Sequence, residues 1–325
     1  MHDSTLNARA HTGAKDIDEG AAERLAPGRP ASAPPLGRDE VAPKAGHGGV
    51  ADDNRNRLPL RARRYVLPPL AATIERRLLV SYRLDAEVAA SLLPEGLRPQ
   101  LVDGSAVAGI CLLRLGAFRP AFMRSEIGWG AENAAHRIAV EWDEPVEGSA
   151  VTGRSDGSSD ATGDTASEPS ARTRTRSGVY IPVRHSASRV PQLAGGRLFP
   201  GVHRHARFDV HETPSRLAVG FTAPDARVAL DVDVIPDADW SSSLFSSVDE
   251  ASAFYRRGSV GWSPSRGPAS APRYDGLELK TDAWKVAAGR IRSIRSSFFD
   301  ALPAGSAEVD SVLVMRDVPM RWAIV

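Results

Sequence analysis

Short apolar–polar alternations recur along this chain and set the strongest limit on its fold. Val228, Leu230, Val232 and Val234 alternate with Arg227, Ala229, Asp231 and Asp233, and Leu217, Val219 and Phe221 follow the same rule upstream. A period of two sends successive side chains to opposite faces of a strand. It also marks Leu78, Val80, Tyr82 and Leu84, then Ile138, Val140 and Trp142 against Arg137, Ala139 and Glu141. Leu277 and Leu279 alternate with Glu278 and Lys280. Residues 106–115 are almost continuously apolar, as a strand buried on both faces would be. Further strands are expected at 291–299 and 309–318. Asp103–Gly104 and Ala223–Pro224–Asp225 read as hairpin turns. Two short helices are expected, at 86–93 behind an Asp85 cap and at 248–257 before Gly258. About nine or ten strands with hairpin turns argue for a mainly β (α+β) chain, a closed or partly open antiparallel β-barrel with a few short helices.

The folded part is expected to be one domain, residues 65–325. Residues 1–64 are rich in Ala, Gly, Pro, Arg and Asp, a composition that buries too little apolar surface to offset chain entropy. They read as a disordered tail. Residues 147–177 are Gly/Ser/Thr/Asp-rich without apolar periodicity and read as a flexible insertion between strands. A formal net charge of +1 gives no electrostatic case for nucleic acid. The single cysteine, Cys111, excludes an intrachain disulfide and sits in an apolar run, where an inert buried thiol is expected. No secretory signal pattern and no membrane-length apolar run occurs, so a soluble cytoplasmic protein is expected. Phosphate-loop, dinucleotide, serine-hydrolase and zincin motifs are missing as well.

Candidate chemistry gathers in two places. In the middle of the chain His203, His205, Arg207, Asp209 and His211 share one strand face while Ala206, Phe208 and Val210 take the other. If the polar face lines a barrel, Arg207 would clamp a carboxylate and His203 or His205 would act as acid or base. If it faces solvent, these residues are ordinary surface groups. Both faces carry a burial pattern, so the sequence leaves the choice open. Glu132 and Arg137 form the second cluster, either an ionised pair that orients a polar ligand or a structural salt bridge. Arg197, after Gly195–Gly196, is a further candidate anion ligand. The His-X-His pair is too weak a signal to assign a metal, and no cofactor is expected.

Several motifs together resemble a known family. They are Leu92–Gly96 (LLPEG), Glu132–Trp142 (ENAAHRIAVEW), Gly178–Pro182 (GVYIP), Gly195–Gly201 (GGRLFPG), His205–Phe208 (HARF), Asp275–Glu278 (DGLE) and Ser296–Phe299 (SSFF). In order and spacing they resemble the YqjF-like family of uncharacterised proteins, a domain of unknown function similar to acetoacetate decarboxylase. The resemblance spans residues 70–325, apart from the insertion. It implies the acetoacetate-decarboxylase-like barrel, a fold often found in oligomers, so a homo-oligomer is left open. It also implies that Glu132 matches a glutamate near the decarboxylase pocket. The decarboxylase forms a Schiff base through a desolvated lysine that follows a proline. Here Pro200 is followed by Gly201, Val202 and His203, and the chain's lysines are Lys15, Lys44, Lys280 and Lys285. Three readings follow: a barrel that binds a small, anionic molecule without Schiff-base chemistry; a lyase or hydratase acting on a keto or carboxylic acid through His203 or His205 with Glu132 and Arg207; and a solidly packed structural or interaction protein.

Overall fold

A computed structural model describes residues 70–123, 129–145, 173–191, 201–265 and 274–324. The expected tail, most of the expected insertion and Arg197 lie outside the described residues. In chain order the elements are β1 (Leu70–Leu84), α1 (Ala86–Ser91), β2 (Arg98–Pro99), β3 (Leu101–Val102), β4 (Ser105–Pro120), β5 (Trp129–Pro145) and β6 (Thr173–Tyr180). Then come β7 (Arg184–Ser186), β8 (His203–His205), β9 (Arg207–Glu212), β10 (Arg216–Thr222), β11 (Arg227–Val234) and α2 (Val248–Arg257). The last are β12 (Val260–Pro264), β13 (Tyr274–Lys280), β14 (Ala287–Ser296), α3 (Ser297–Asp300) and β15 (Ala307–Ile324).

The strands pair in the order β1–β4–β5–β6–β12–β13–β15–β14–β11–β10–β9, and β1 also pairs with β15. Seven strands thus follow a ring of pairings, from which β14, β11, β10 and β9 branch. Local chemistry explains the boundaries. The Asp85 side chain accepts the Glu87 and Val88 amides and opens α1. Asp103 and Gly104 both have positive φ, 47° and 78°, as the tight turn into β4 requires. Ser247 caps α2, whose acidic first turn and basic last turn both suit the helix dipole.

Three expectations need correction. The described chain has fifteen strands, because the two- and three-residue pieces β2, β3, β7 and β8 carry too little pattern to be read from sequence. Pairing is not wholly antiparallel: β6–β12 and β7–β8 are parallel. Residues 291–299 are not one strand, since β14 ends at Ser296 and a helical turn follows. A strand would send Phe298 and Phe299 to opposite faces. The turn instead lets Phe299 stack on Tyr82 at 3.7 Å and Phe298 on His136 at 4.8 Å.

β1, β4 and β5 are covered on both faces. On one, Leu78, Val80, Ile110, Leu112, Ile138 and Trp142 pack against Val219, Phe221, Val228 and Leu230 of the branch. On the other, Leu79, Val107, Cys111 and Ala139 pack against Leu244, Phe245 and the Ala251, Phe254 and Tyr255 side of α2. The first face also buries a charge network. Arg76, 1% exposed, donates to Glu132 at 2.5 Å and to Glu212 at 3.0 Å. The other Glu132 oxygen takes Arg114 at 3.3 Å. The network ties β1, β4 and β5 to β9. Glu132→Ala leaves Arg76 with Glu212 alone, and the expected loss is about 3 kcal/mol, read as a lower urea midpoint at unchanged m-value.

Candidate functional site

Arg77 follows Arg76 on β1, so its side chain leaves by the opposite face. Strand register assembles its neighbours. Leu79 pairs with Cys111, Cys111 with Ala135, Ala135 with Arg184, and Arg184 with His203. Directly paired residues share a face, so this is one row across β1, β4, β5, β7 and β8. Arg137 pairs with Gly109 in an adjacent row on the same face. Three guanidinium groups therefore leave by one side of the sheet, the side against which α2 packs.

Their surroundings hold little to neutralise them. Arg77 Nε donates to Cys111 Sγ at 3.2 Å. Arg137, 6% exposed, lies 4.6 Å over the Tyr255 ring, and its Nη2 is buried without a hydrogen-bond partner. Arg184 donates from Nη2 to Ser263 Oγ at 3.1 Å, while its Nε is shut from solvent and unpartnered. Among the described residues, no carboxylate forms an ion pair with Arg77, Arg137 or Arg184. Asp275 acts on Arg184 only at longer range; its own oxygens take the Gly201 amide at 3.2 Å and Ser265 at 2.6 Å.

Gly201 and Gly261 flank Arg184. A Cβ on Gly261 would lie 3.4 Å from its Nη2. One on Gly201 would lie 3.4 Å from its Nε and only 2.7 Å from the Ser263 Cβ, at a φ of +92° that favours glycine.

The electrostatics follow from this crowding. Burial lowers the pKa of Arg137, and it pushes Arg184 down to about 10. Burial alone would raise the Cys111 thiol, but the charges of Arg77, Arg137 and Arg184 outweigh it and hold the thiol below its usual range. Burial raises Tyr255, whose hydroxyl is hydrogen-bonded to Ser81 Oγ.

The candidates from sequence fall in different places. Arg137 belongs to the cluster. His203 and His205 are half-buried on β8, paired with Arg184 and Ser186, and so share its face. Glu132 does not join Arg137: five residues apart on β5, they take opposite faces, and Glu132 is held by Arg76 and Arg114. Arg207 is exposed on β9, which pairs with β10. Asp209 and His211 lie beside it with side chains 84% and 80% exposed, so the polar row continues into solvent past Ala206. Lys280 and Lys285 are exposed, and Lys280 pairs with Glu278 at 3.0 Å. Among the described residues no three His, Cys, Asp or Glu side chains are grouped to hold a metal, and no helix is long and apolar enough to cross a membrane. Sequence reasoning passed over Arg77, Arg184, Tyr255 and the role of Cys111. Parity from Leu78 and Leu79 was signal enough for Arg77; a three-residue strand offered none for Arg184.

A buried cation without a counter-ion costs stability. Arg137→Met is expected to stabilise the protein by about 1–3 kcal/mol, read as a raised thermal midpoint. A second titration belongs to the opposite face. Burial, with the nearby charge of His185, holds His136 down at about 4, against a Ser296 hydroxyl at 3.0 Å. The unfolded chain binds this proton near pH 6.5, so stability is intact above that pH and is lost as pH falls toward 4. Urea titrations are expected to show about 2 kcal/mol more loss between about pH 7 and 5 in the native sequence than in His136→Gln.

No protein-family model and no curated protein matches the chain. Solved structures with a similar course include an acetoacetate decarboxylase-like enzyme from Sphingomonas wittichii, 14% identical at a TM-score of 0.48, covering 80% of this chain and 92% of that one. The acetoacetate decarboxylase of Legionella pneumophila is 10% identical at a TM-score of 0.47, covering 86% and 98%. The enduracididine biosynthesis enzyme MppR, complexed with pyruvate, is 14% identical at 0.47, covering 81% and 93%. These likenesses give the chain neither a family nor an activity.

Proposed function

We propose that this protein is a YqjF-like, acetoacetate-decarboxylase-like barrel that binds a small carboxylate against Arg77, Arg137 and Arg184, without Schiff-base chemistry. One observation carries the reading: Arg137 is only 6% exposed, has no carboxylate partner among the described residues, and keeps a free Nη2. A ligand can supply the missing charge, and planar guanidinium suits carboxylate bidentately. The ring of pairings through β1 and β15 supports the barrel. Gly201, at the place where the decarboxylase resemblance puts the lysine, has only 2.7 Å between an added Cβ and Ser263, which speaks against an amine there.

The lyase or hydratase reading keeps its support from His203, paired with Arg184 and so beside the same anion site. In that reading His203 or His205 moves a proton on a substrate anchored by the arginines. Glu132 and Arg207 take no part in it, one committed to Arg76 and the other in solvent.

The test is a thermal-shift screen with small mono- and dicarboxylates and oxo acids. A ligand at 100 times its dissociation constant adds about 2.7 kcal/mol. The shift is expected to disappear in Arg137→Met and Arg184→Met and to persist in Arg207→Ala. Absence of any carboxylate-dependent shift overturns the proposal. Turnover of a hit, lost in His203→Ala with binding retained, selects the lyase reading over simple binding.

A further inference from the structure

Cys111 is the only cysteine in the chain, and its sulfur stands inside the arginine cluster. Arg77 Nε–H points at Sγ from 3.2 Å, the hydrogen bond that a thiolate accepts far better than a thiol. Arg137, whose Nη2 has no partner, lies one row away on the same face. Arg184 is two strands over in the same row, with Ala135 as the residue between it and Cys111 in register. Adjacent strands are about 4.8 Å apart, so the backbones of Cys111 and Arg184 stand about two strand spacings apart, and their side chains leave by the same face. Three cations against one sulfur leave positive charge over, which a small anion would offset.

We infer that Cys111 is a nucleophile, and that its thiolate attacks small carboxylic acids whose electrophilic carbon is bonded directly to the carboxyl group. Arg137 and Arg184 hold the carboxylate and so bring the adjacent carbon to Sγ. With a carbonyl at that carbon, a sulfur lone pair forms the C–S bond and the C=O π pair moves to oxygen. The oxygen takes a proton from water, leaving a thiohemiketal and hydroxide. With a halide at that carbon, the C–S bond forms as the carbon–halogen bond breaks and halide departs. The inference rests on the anion site proposed above and adds the covalent step.

Iodoacetate and iodoacetamide separate the two ideas, because they differ only in charge at the carboxyl position. A single cysteine makes intact mass an unambiguous readout. In the native full-length chain iodoacetate is expected to alkylate Cys111 faster than iodoacetamide, by about tenfold or more, through local attraction of the anion. In urea the neutral reagent is expected to be the faster one, as for a thiol without neighbouring cations. Arg137→Met, which the cluster's geometry leaves able to fold, is expected to lose most of the iodoacetate preference, and Cys111→Ser to give no adduct. Acetate, which has no electrophilic carbon, is run alongside as a thermal-shift ligand with the native chain and Cys111→Ser. A native chain that binds acetate but is alkylated by neither reagent, or faster by iodoacetamide, overturns the nucleophile and leaves the anion site standing. A chain that neither shifts with acetate nor prefers iodoacetate overturns both.

Discussion

Strands buried on both faces leave no side chain a neutral place to go, and β1 puts two arginines side by side under that constraint. Arg76 and Arg77 must take opposite faces. Arg76 enters the face where Glu132 and Glu212 wait, and its charge is matched there at 2.5 and 3.0 Å. Arg77 enters the face under α2, where the atom it meets is a cysteine sulfur. The two faces of one sheet thus solve the same electrostatic problem in different ways. One is satisfied within the fold, and the other holds three guanidinium groups with, among the described residues, no ion-paired carboxylate.

The difference separates structure from site. The Arg76 network joins β1, β4 and β5 to the branch strand β9, and every charged group in it has a partner from another strand. A network whose charges are paired in this way holds strands together, although Arg76 Nε and Arg316 Nε are buried without a hydrogen-bond partner. The Arg77, Arg137 and Arg184 face is bounded instead by Ser81, Ser263 and Tyr255, groups that hydrogen-bond but do not neutralise. Packing cannot relieve it, because the same face carries the apolar contacts of Leu79, Val107 and Ala139 with α2.

Much of the scaffold was legible in the sequence, because its rules are local. The Asp85 cap, the Asp103–Gly104 turn and the whole of α2 at Val248–Arg257 follow from residues within one or two turns of each other. The alternation of β11 appears in its burial pattern nearly residue by residue. The site was less legible, for two distinct reasons. Glu132 and Arg137 invite pairing by their nearness along the chain, yet an odd spacing on a strand parts them, which parity alone would have shown. Arg184 and His203 come together through a parallel contact between two three-residue strands, and no local pattern encodes that contact. Cys111 looked inert because its neighbours along β4 are apolar; the charges that lower its pKa arrive from β1, β5 and β7.

The Arg184 position shows how far the fold goes to keep that charge in place. At Gly201 a methyl group would come within 2.7 Å of the Ser263 Cβ, the side chain to which Arg184 donates, at a φ of +92° that favours glycine. Ser263, 0% exposed, commits its hydroxyl to the same guanidinium. Asp275, a carboxylate that acts on it at longer range, is turned toward the Gly201 amide and Ser265 and forms no ion pair with it. Packing alone gives no reason for a half-buried cation that is hydrogen-bonded yet, among the described residues, has no ion-paired carboxylate. It is the arrangement expected when the compensating charge arrives with a ligand.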